Sequence, residues 1–364
     1  MEQNKPQMRV YVISGAGGMT GLELTRQILL RKDENHHLFL FDNGFNCNLN
    51  KIIAYVKSNP ELVSADFGEN ADIRKDDFMF WLYTDIAHFV QEHAKHYLIE
   101  VIFINCAAVV HTKHFYHPYD TFETNVNGMN KFADMARKMK LDKNCNKVKF
   151  INCSTSEVYS AQSYAKGGVK ETDILSMYSC EHSLRTSYAF GKLLTEMFTK
   201  DMFDNNQILG ASLRFANVYT EDELQAEHII PYCLEGAQKG KIELLKNAAV
   251  TRRTFLHNSD SASSILALID TDSALDGSVY NVGTSEEFYI LEVAAKICKL
   301  LNCKPEILFN KPARKSDPER RLLNCDKIMQ RTGWKPTVTL DEGLKRCVEA
   351  LPTYSIQKLY KAYF

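Results

Sequence analysis

No Cys-x-x-Cys pair occurs among the 10 cysteines of this chain, which are scattered at positions 47, 106, 145, 153, 180, 233, 298, 303, 325 and 347. Neither a zinc ribbon nor a thioredoxin-type redox pair is indicated by that spacing. No charge of one sign is in excess: 44 Lys and Arg stand against 45 Asp and Glu, a net charge of -1. The chain gives no reason to expect nucleic acid or an anionic membrane as a partner, and any anion site must be local. No apolar run reaches the roughly 18 residues that a membrane helix needs. No signal peptide is recognisable, so the expectation is a cytoplasmic protein with reduced thiols. No internal repeat or low-complexity linker interrupts the sequence. His111, His114 and His117 are spaced by three, but a loop bounded by Pro118 does not guarantee that they converge, and no metal is expected. His93 and His96 read as a solvated helix face.

What is present is an ordinary soluble composition, 45% hydrophobic and 24% charged over 364 residues. That suffices for a substantial core in one large domain or two intimate ones. Strand-like and helix-like segments alternate through the first half. Arg9–Ser14, His37–Asp42, Glu100–Asn105, Lys147–Asn152 and Ile208–Leu213 read as strands. Thr20–Leu30, Ile86–His96, Asn125–Lys140 and Ser187–Met202 read as helices. Continuous apolar strands alternating with helices predict a parallel sheet covered on both faces. After Arg214 polar loops carry isolated motifs, with helices near 226–239, 260–271, 289–302 and 338–350. The expected fold class is α/β, a doubly wound parallel sheet with a smaller C-terminal α/β lobe. The expected division is 8–213 for the large domain and 214–351 for the lobe, the chain crossing back between them. Residues 1–7 read as a polar disordered segment and 352–364 as an aromatic-rich tail.

Gly15-Ala-Gly-Gly-Met-Thr-Gly21 fits Gly-x-x-Gly-x-x-Gly between a strand and a helix, the context this motif requires. Glycine lets the backbone turn tightly and approach a pyrophosphate, and the helix N-terminus beyond offers free N–H groups. Gly15, Gly18, Met19, Thr20 and Gly21 are therefore candidate cofactor residues. Asp42 ends the second strand roughly 20 residues after the loop, where a carboxylate accepts from ribose hydroxyls and repels a 2′-phosphate. NAD is expected over NADP. Asp85 with Ile86 is the candidate for holding the adenine edge, a solvated helix cap being the plainer alternative.

Tyr188 and Lys192, in Ser-Tyr-Ala-Phe-Gly-Lys, share a helix face at i and i+4. An ammonium beside a phenol favours the phenolate. Such a tyrosine takes the proton of a sugar hydroxyl while hydride leaves its carbon for nicotinamide, and Lys192 also suits the nicotinamide ribose. Ser154-Thr-Ser-Glu157 follows a buried strand, where an α/β sheet presents its ligand crevice. Thr155 is expected to hydrogen-bond the same substrate oxygen, and Glu157 to serve as a second acid or base.

These residues resemble the extended short-chain dehydrogenase/reductase superfamily, in its nucleotide-sugar epimerase/dehydratase branch, from about Arg9 to Leu351. The likeness includes Asn105-Cys-Ala-Ala108, Pro118 followed by Asn125-Val-Asn-Gly128, and Arg214-Phe-Ala-Asn-Val-Tyr219. It continues through Arg253-Thr-Phe255 before Asp260, Tyr280-Asn-Val-Gly283, Asp317-Pro-Glu-Arg-Arg321 and Gly333-Trp-Lys-Pro336. The resemblance implies a Rossmann-type domain with bound NAD and a C-terminal substrate-binding lobe, with Ala107, Ala108 and Asn125 added to the cofactor set. It implies Thr155, Tyr188 and Lys192 as the catalytic set. It implies a lobe gripping a nucleotide-diphosphate sugar through Asn217, Arg253 and Arg320 or Arg321, with Ser156 and Arg185 beside the sugar. Thr155-Ser156-Glu157 looks like the motif of UDP-glucuronate decarboxylases and GDP-mannose 4,6-dehydratases; dTDP-glucose 4,6-dehydratases carry Thr-Asp-Glu. Ser160, Thr220-Glu221 and Leu322-Leu-Asn324 depart from the family pattern around the substrate pocket.

The expected reaction is oxidation at C4 of the hexose, followed by dehydration or decarboxylation assisted by Glu157. A 4-epimerase, or a sensor or scaffold that binds NAD without turnover, is the alternative. The resemblance also implies a homodimer through helices around 125–140 and 187–202.

Overall fold

The computed structural model describes residues 5–110, 117–160, 167–184, 186–223, 225–314 and 317–351. His111, His114, Arg185 and the tail from 352 lie outside the described residues. Period-two alternation decides where each strand side chain goes. In β1 (Gln7–Ser14), Tyr11 and Ile13 enter the core on one face, Val10 and Val12 on the other. In β2 (His36–Asp42), Leu38 and Leu40 are split from Phe39 and Phe41 in the same way. Next come β3 (Val63–Phe67), β4 (Leu98–Asn105), β5 (Lys147–Thr155) and β6 (Leu209–Phe215). With Asp276–Val282 they form one seven-stranded sheet. Its order is Asp276–Val282, β6, β5, β4, β1, β2, β3, and every pairing is parallel.

Met19–Leu29, Leu49–Ser58 and Asn258–Ile269 cover one face of this sheet; Asp76–His93, Met129–Lys140 and Thr186–Asn206 cover the other. The α/β class and the doubly wound parallel sheet expected from the sequence are what the chain adopts. The strand order reverses between β1 and β4, and a ligand crevice opens there at the carboxyl ends of the strands.

Two outer strands were not anticipated. β3 is half exposed, and an edge strand needs no continuous apolar run. Asp276–Val282 forms the opposite edge, with an irregular register beside β6. The helix expected over 86–96 runs Asp76–His93.

Short strands build the second lobe. Asn217–Tyr219 pairs with Phe255–His257, Lys241–Leu245 with Glu306–Lys311, and Arg252–Arg253 lies between Phe288–Tyr289 and Arg320–Arg321. Its own core contains Tyr219, Leu234, Ile242, Val293, Ile297 and Leu344. Residues 258–282 return to the large sheet. Asn258 donates its amide to Met19 O at 2.7 Å, and Gln27 donates to Ser259 O at 2.9 Å. Among the described residues no helix is long and apolar enough to cross a membrane.

Candidate active site

The crevice above β1, β2 and β4 encloses about 670 Å³ and is lined by Gly15, Gly18, Met19, Thr20, Gly21, Asp42, Ala107 and Ala108. Backbone crowding explains two of its glycines. Gly15 has φ +66°, and a Cβ there would lie 2.7 Å from Ala107 N. A Cβ on Gly21 would lie 2.3 Å from Gly15 O. Gly18 precedes helix Met19–Leu29, whose first turn carries no acidic residue, so its N–H groups and positive dipole end are open to an anion. The Asp42 carboxylate accepts from Gly17 N at 3.0 Å and Gly44 N at 2.9 Å, tying the end of β2 to the glycine loop. Burial pushes its pKa up, against the pull of those N–H donors. The close-approach glycines, the open helix end and the acid after β2 fit a dinucleotide.

Three expected cofactor residues are placed differently. Asp85 is an exposed residue within helix Asp76–His93, and Ile86 is buried in the core behind the sheet; neither lines the crevice. Ala71, Ile73 and Arg74 line it instead, in the loop after β3. The signal for them is Ala71-Asp-Ile-Arg74 directly after a strand, hidden because that strand was not recognised. Asn125 is buried and turned to the backbone: it accepts from Val109 N at 2.7 Å and donates to Val109 O at 3.1 Å. It positions the loop after β4, while Val109 lines the crevice.

A second cleft of about 700 Å³ is lined by Thr155, Glu157, Tyr188, Lys192, Asn217, Arg253 and Arg321. Met19, Thr20, Cys106 and Ala108 line both spaces. Helix Thr186–Asn206 carries Tyr188 and Lys192, both buried. Lys192 Nζ donates to Cys153 O at 2.7 Å. Burial lowers the Lys192 pKa, against the pull of Cys153, Cys106 and Glu196. The Tyr188 phenol is pushed up, first by burial and then by the negative charge of Glu157; its hydrogen bond with Thr155 works the other way. Burial and Glu157, rather than the expected lowering by Lys192, therefore control the phenol.

Glu157 follows β5 in the short helix Ser156–Tyr159. Arg321 Nη1 donates to its Oε1 at 2.7 Å. Two expected substrate residues are not in the cleft lining. Ser156 is buried away from it. Arg320 instead forms a two-pronged ion pair with Glu287, at 2.7 and 2.6 Å. Neighbours on a strand face opposite ways, so in Arg320–Arg321 it is Arg321 that reaches the cleft. Arg253 is buried and donates to Asp317 at 2.7 Å. Lys311 and Arg314, not anticipated, add further cations to the same wall. A wall of guanidinium and ammonium groups matches phosphate oxygens.

Behind the cleft, Arg214 makes a two-pronged ion pair with Glu196 at 3.0 and 2.7 Å and donates to Tyr159 OH at 2.8 Å. This buried network holds the end of β6 against helix Thr186–Asn206. Among the described residues no cluster of His, Cys, Asp and Glu could hold a metal ion.

Comparison with known proteins agrees with this geometry. The chain is 25% identical over 354 residues to UDP-glucuronic acid decarboxylase 5 of Arabidopsis thaliana, covering 93% of this chain and 87% of that protein. It is 26% identical over 202 residues to a trifunctional UDP-glucose 4,6-dehydratase/UDP-4-keto-6-deoxy-D-glucose 3,5-epimerase/UDP-4-keto-L-rhamnose-reductase of the same plant. That match covers 55% of this chain and 29% of the longer protein. The fold superposes on UDP-glucuronic acid 4-epimerase of Bacillus cereus, solved with UDP-glucuronic acid and NAD, with a TM-score of 0.75. There the identity is 20%, with 94% of this chain and 99% of that one covered. The family model for the NAD dependent epimerase/dehydratase family matches residues 11–283. The chain belongs to the NAD dependent epimerase/dehydratase family, with NAD as its cofactor.

Proposed function

We propose that this protein modifies a nucleotide-diphosphate sugar by oxidation at C4 of the hexose, followed by decarboxylation or dehydration assisted by Glu157. The observation that carries this reading is the convergence of Thr155, Glu157, Tyr188 and Lys192 on one cleft that opens into the dinucleotide crevice. Bound NAD supplies the hydride acceptor and a ring cation that favours the Tyr188 phenolate. Tyr188 removes the hydroxyl proton, and Thr155 orients the oxygen. Asn217, Arg253 and Arg321 bind the anionic portion of the substrate. A ketone at C4 acidifies C5 and also makes a C5 carboxylate a good leaving group as carbon dioxide. Glu157 then handles the proton of the second step.

The Glu157–Arg321 pair favours two-step chemistry over plain epimerisation. It places a charge-compensated carboxylate beside the reacting sugar, and a simple return of hydride has no need of one. The homodimer is proposed through a second copy of the Thr186–Asn206 helix. Phe190, Leu194 and Met197 form an exposed apolar row there, 52%, 36% and 58% accessible.

The deciding experiment is mass spectrometry of products from purified protein with NAD and a panel of nucleotide-diphosphate hexoses and UDP-glucuronate. Loss of carbon dioxide establishes a decarboxylase, and loss of water a dehydratase. An unchanged mass with inverted C4 stereochemistry establishes the epimerase and removes the second step. No conversion of any substrate counts against the proposed turnover.

A further inference from the structure

We propose that Cys106 and Cys153 are a peroxide-sensitive dithiol whose closure to a disulfide weakens dinucleotide binding. Their sulfur atoms lie 3.7 Å apart. The pairing of β4 with β5 runs in register to Asn105 and Asn152, and the two cysteines are the next residues along. Adjacent strands stand about 4.8 Å apart, which falls inside the Cα range that a disulfide spans. Both side chains are part-exposed and line the catalytic cleft, so a small oxidant has a path to them. None of the roles assigned to Thr155, Glu157, Tyr188 or Lys192 uses sulfur.

The surroundings decide which sulfur reacts first. The Cys106 hydrogen bond and then the Lys192 charge draw the Cys153 thiol below its ordinary range, although burial opposes them. The thiolate is the nucleophile in such chemistry. Cys153 sulfur attacks one oxygen of hydrogen peroxide, the O–O bond breaks, and the departing hydroxide takes up a proton. Sulfenic acid remains on Cys153. Cys106 sulfur then bonds to Cys153 sulfur; its thiol proton leaves with the sulfenic hydroxyl as water. One peroxide and two thiols thus give one disulfide and two waters, with sulfur oxidised by two electrons and peroxide reduced by two.

Closure has a structural consequence. The sulfur atoms must approach to about 2.05 Å, which swings the Cys106 side chain, just after β4 and part of the lining of both clefts, out of its present position. The backbone of that segment is packed without slack against the glycine loop. Cys106 N donates to Ser14 O at 3.2 Å, and Ala107 N donates to Ser14 Oγ at 3.3 Å. A single added carbon on Gly15 would already lie 2.7 Å from Ala107 N. The backbone there has no room to yield, so closure acts through the Cys106 side chain and reshapes the wall that NAD must contact. Linkage makes the effect reciprocal: bound NAD opposes disulfide formation as much as the disulfide opposes NAD.

The test treats reduced protein with stoichiometric hydrogen peroxide, with and without saturating NAD, and blocks remaining thiols by alkylation. Peptide mass mapping reads the crosslink, and calorimetric titration reads NAD affinity. The expected result is a Cys106–Cys153 crosslink that bound NAD suppresses, with affinity weakened on the order of tenfold and restored by dithiothreitol. The variants Cys106→Ala and Cys153→Ala lose the peroxide response. Cys298 and Cys303, which also face each other but lie outside both clefts, serve as an internal comparison. Absence of the crosslink, or a crosslink with unaltered NAD affinity, would overturn the proposal. So would an equal loss of affinity in treated Cys106→Ala protein.

Discussion

Arg321 and Glu157 are 164 positions apart in the chain and joined by a hydrogen-bonded ion pair of 2.7 Å in the catalytic cleft. Arg321 is almost fully buried and Glu157 partly so. Each therefore compensates charge on the other in a setting where an uncompensated charge is costly. The pair also links the two lobes, since Glu157 follows β5 and Arg321 lies on a strand of the smaller lobe.

Replacing Arg321 with Gln removes this ion pair from Glu157. The expected outcome is a loss of about 100-fold or more in product formation, the scale of a general acid–base contribution. Oxidation at C4 should survive better than the second step. Single-turnover absorbance of reduced nicotinamide, compared with product release by mass spectrometry, separates the two. Equal losses in both steps would count against a role for the pair in the second step.

Glu157 also acts on Tyr188 through space. Its negative charge is the second cause, after burial, of the raised phenol pKa. A raised pKa means that the phenol keeps its proton to higher pH, so the rate of C4 oxidation should rise with pH. Glu157→Gln removes one negative neighbour and lets the phenol ionise more readily. The rising limb of the pH–rate profile should therefore move to lower pH, even though the second step is lost. A limb that stays in place, or moves upward, would show that Glu157 does not tune Tyr188.

The sheet could be read from the sequence wherever burial on both faces writes a continuous apolar run. All seven residues of β2 are buried, and β1, β4, β5 and β6 were recognised for the same reason. The edges carry no such run, and missing β3 had a direct cost for the site. Asp85 and Ile86, the candidates for the adenine edge, lie within a helix, and Ile73 in the loop after β3 lines the crevice instead. Arg320 and Arg321 illustrate a different limit. A two-residue strand exposes one arginine to the cleft and the other to Glu287, and composition cannot say which. Tyr188, Lys192, Thr155 and Glu157 stand out in the sequence because the chemistry proposed for them restricts residue type and spacing at once.

Ser160 occupies a left-handed backbone position, with φ +33°. Side chains other than glycine are strained in such conformations by roughly 1–2 kcal/mol. This is where the sequence departs from the usual glycine after Val158-Tyr159. Ser160→Gly should raise stability by about 1 kcal/mol, part of the relief being offset by the greater freedom of the unfolded chain. Equilibrium urea unfolding of the two proteins measures it. A loss of stability on substitution would mean that the Ser160 side chain supplies more than the strain removes.

Phe190, Leu194 and Met197 are spaced four and three residues apart on Thr186–Asn206 and are 52%, 36% and 58% accessible. That spacing gathers them into one stripe on the helix surface. Tyr119 and Phe122, at the start of the preceding helical run, are exposed too. By contrast, the exposed positions of Met129–Lys140 are Asp134, Lys138 and Lys140. The contact proposed between two copies is thus centred on residues 186–206 and supported from 118–128. Leu194→Glu places a charge within the stripe, and burying an unpaired carboxylate against a second apolar stripe is costly. The expected result is a shift from dimer to monomer, read by light scattering coupled to size-exclusion chromatography. The far-ultraviolet spectrum should not change, because Leu194 is already part-exposed in the single chain. A wild-type protein that elutes as a monomer at all concentrations would overturn the contact. So would a Leu194→Glu protein that remains dimeric.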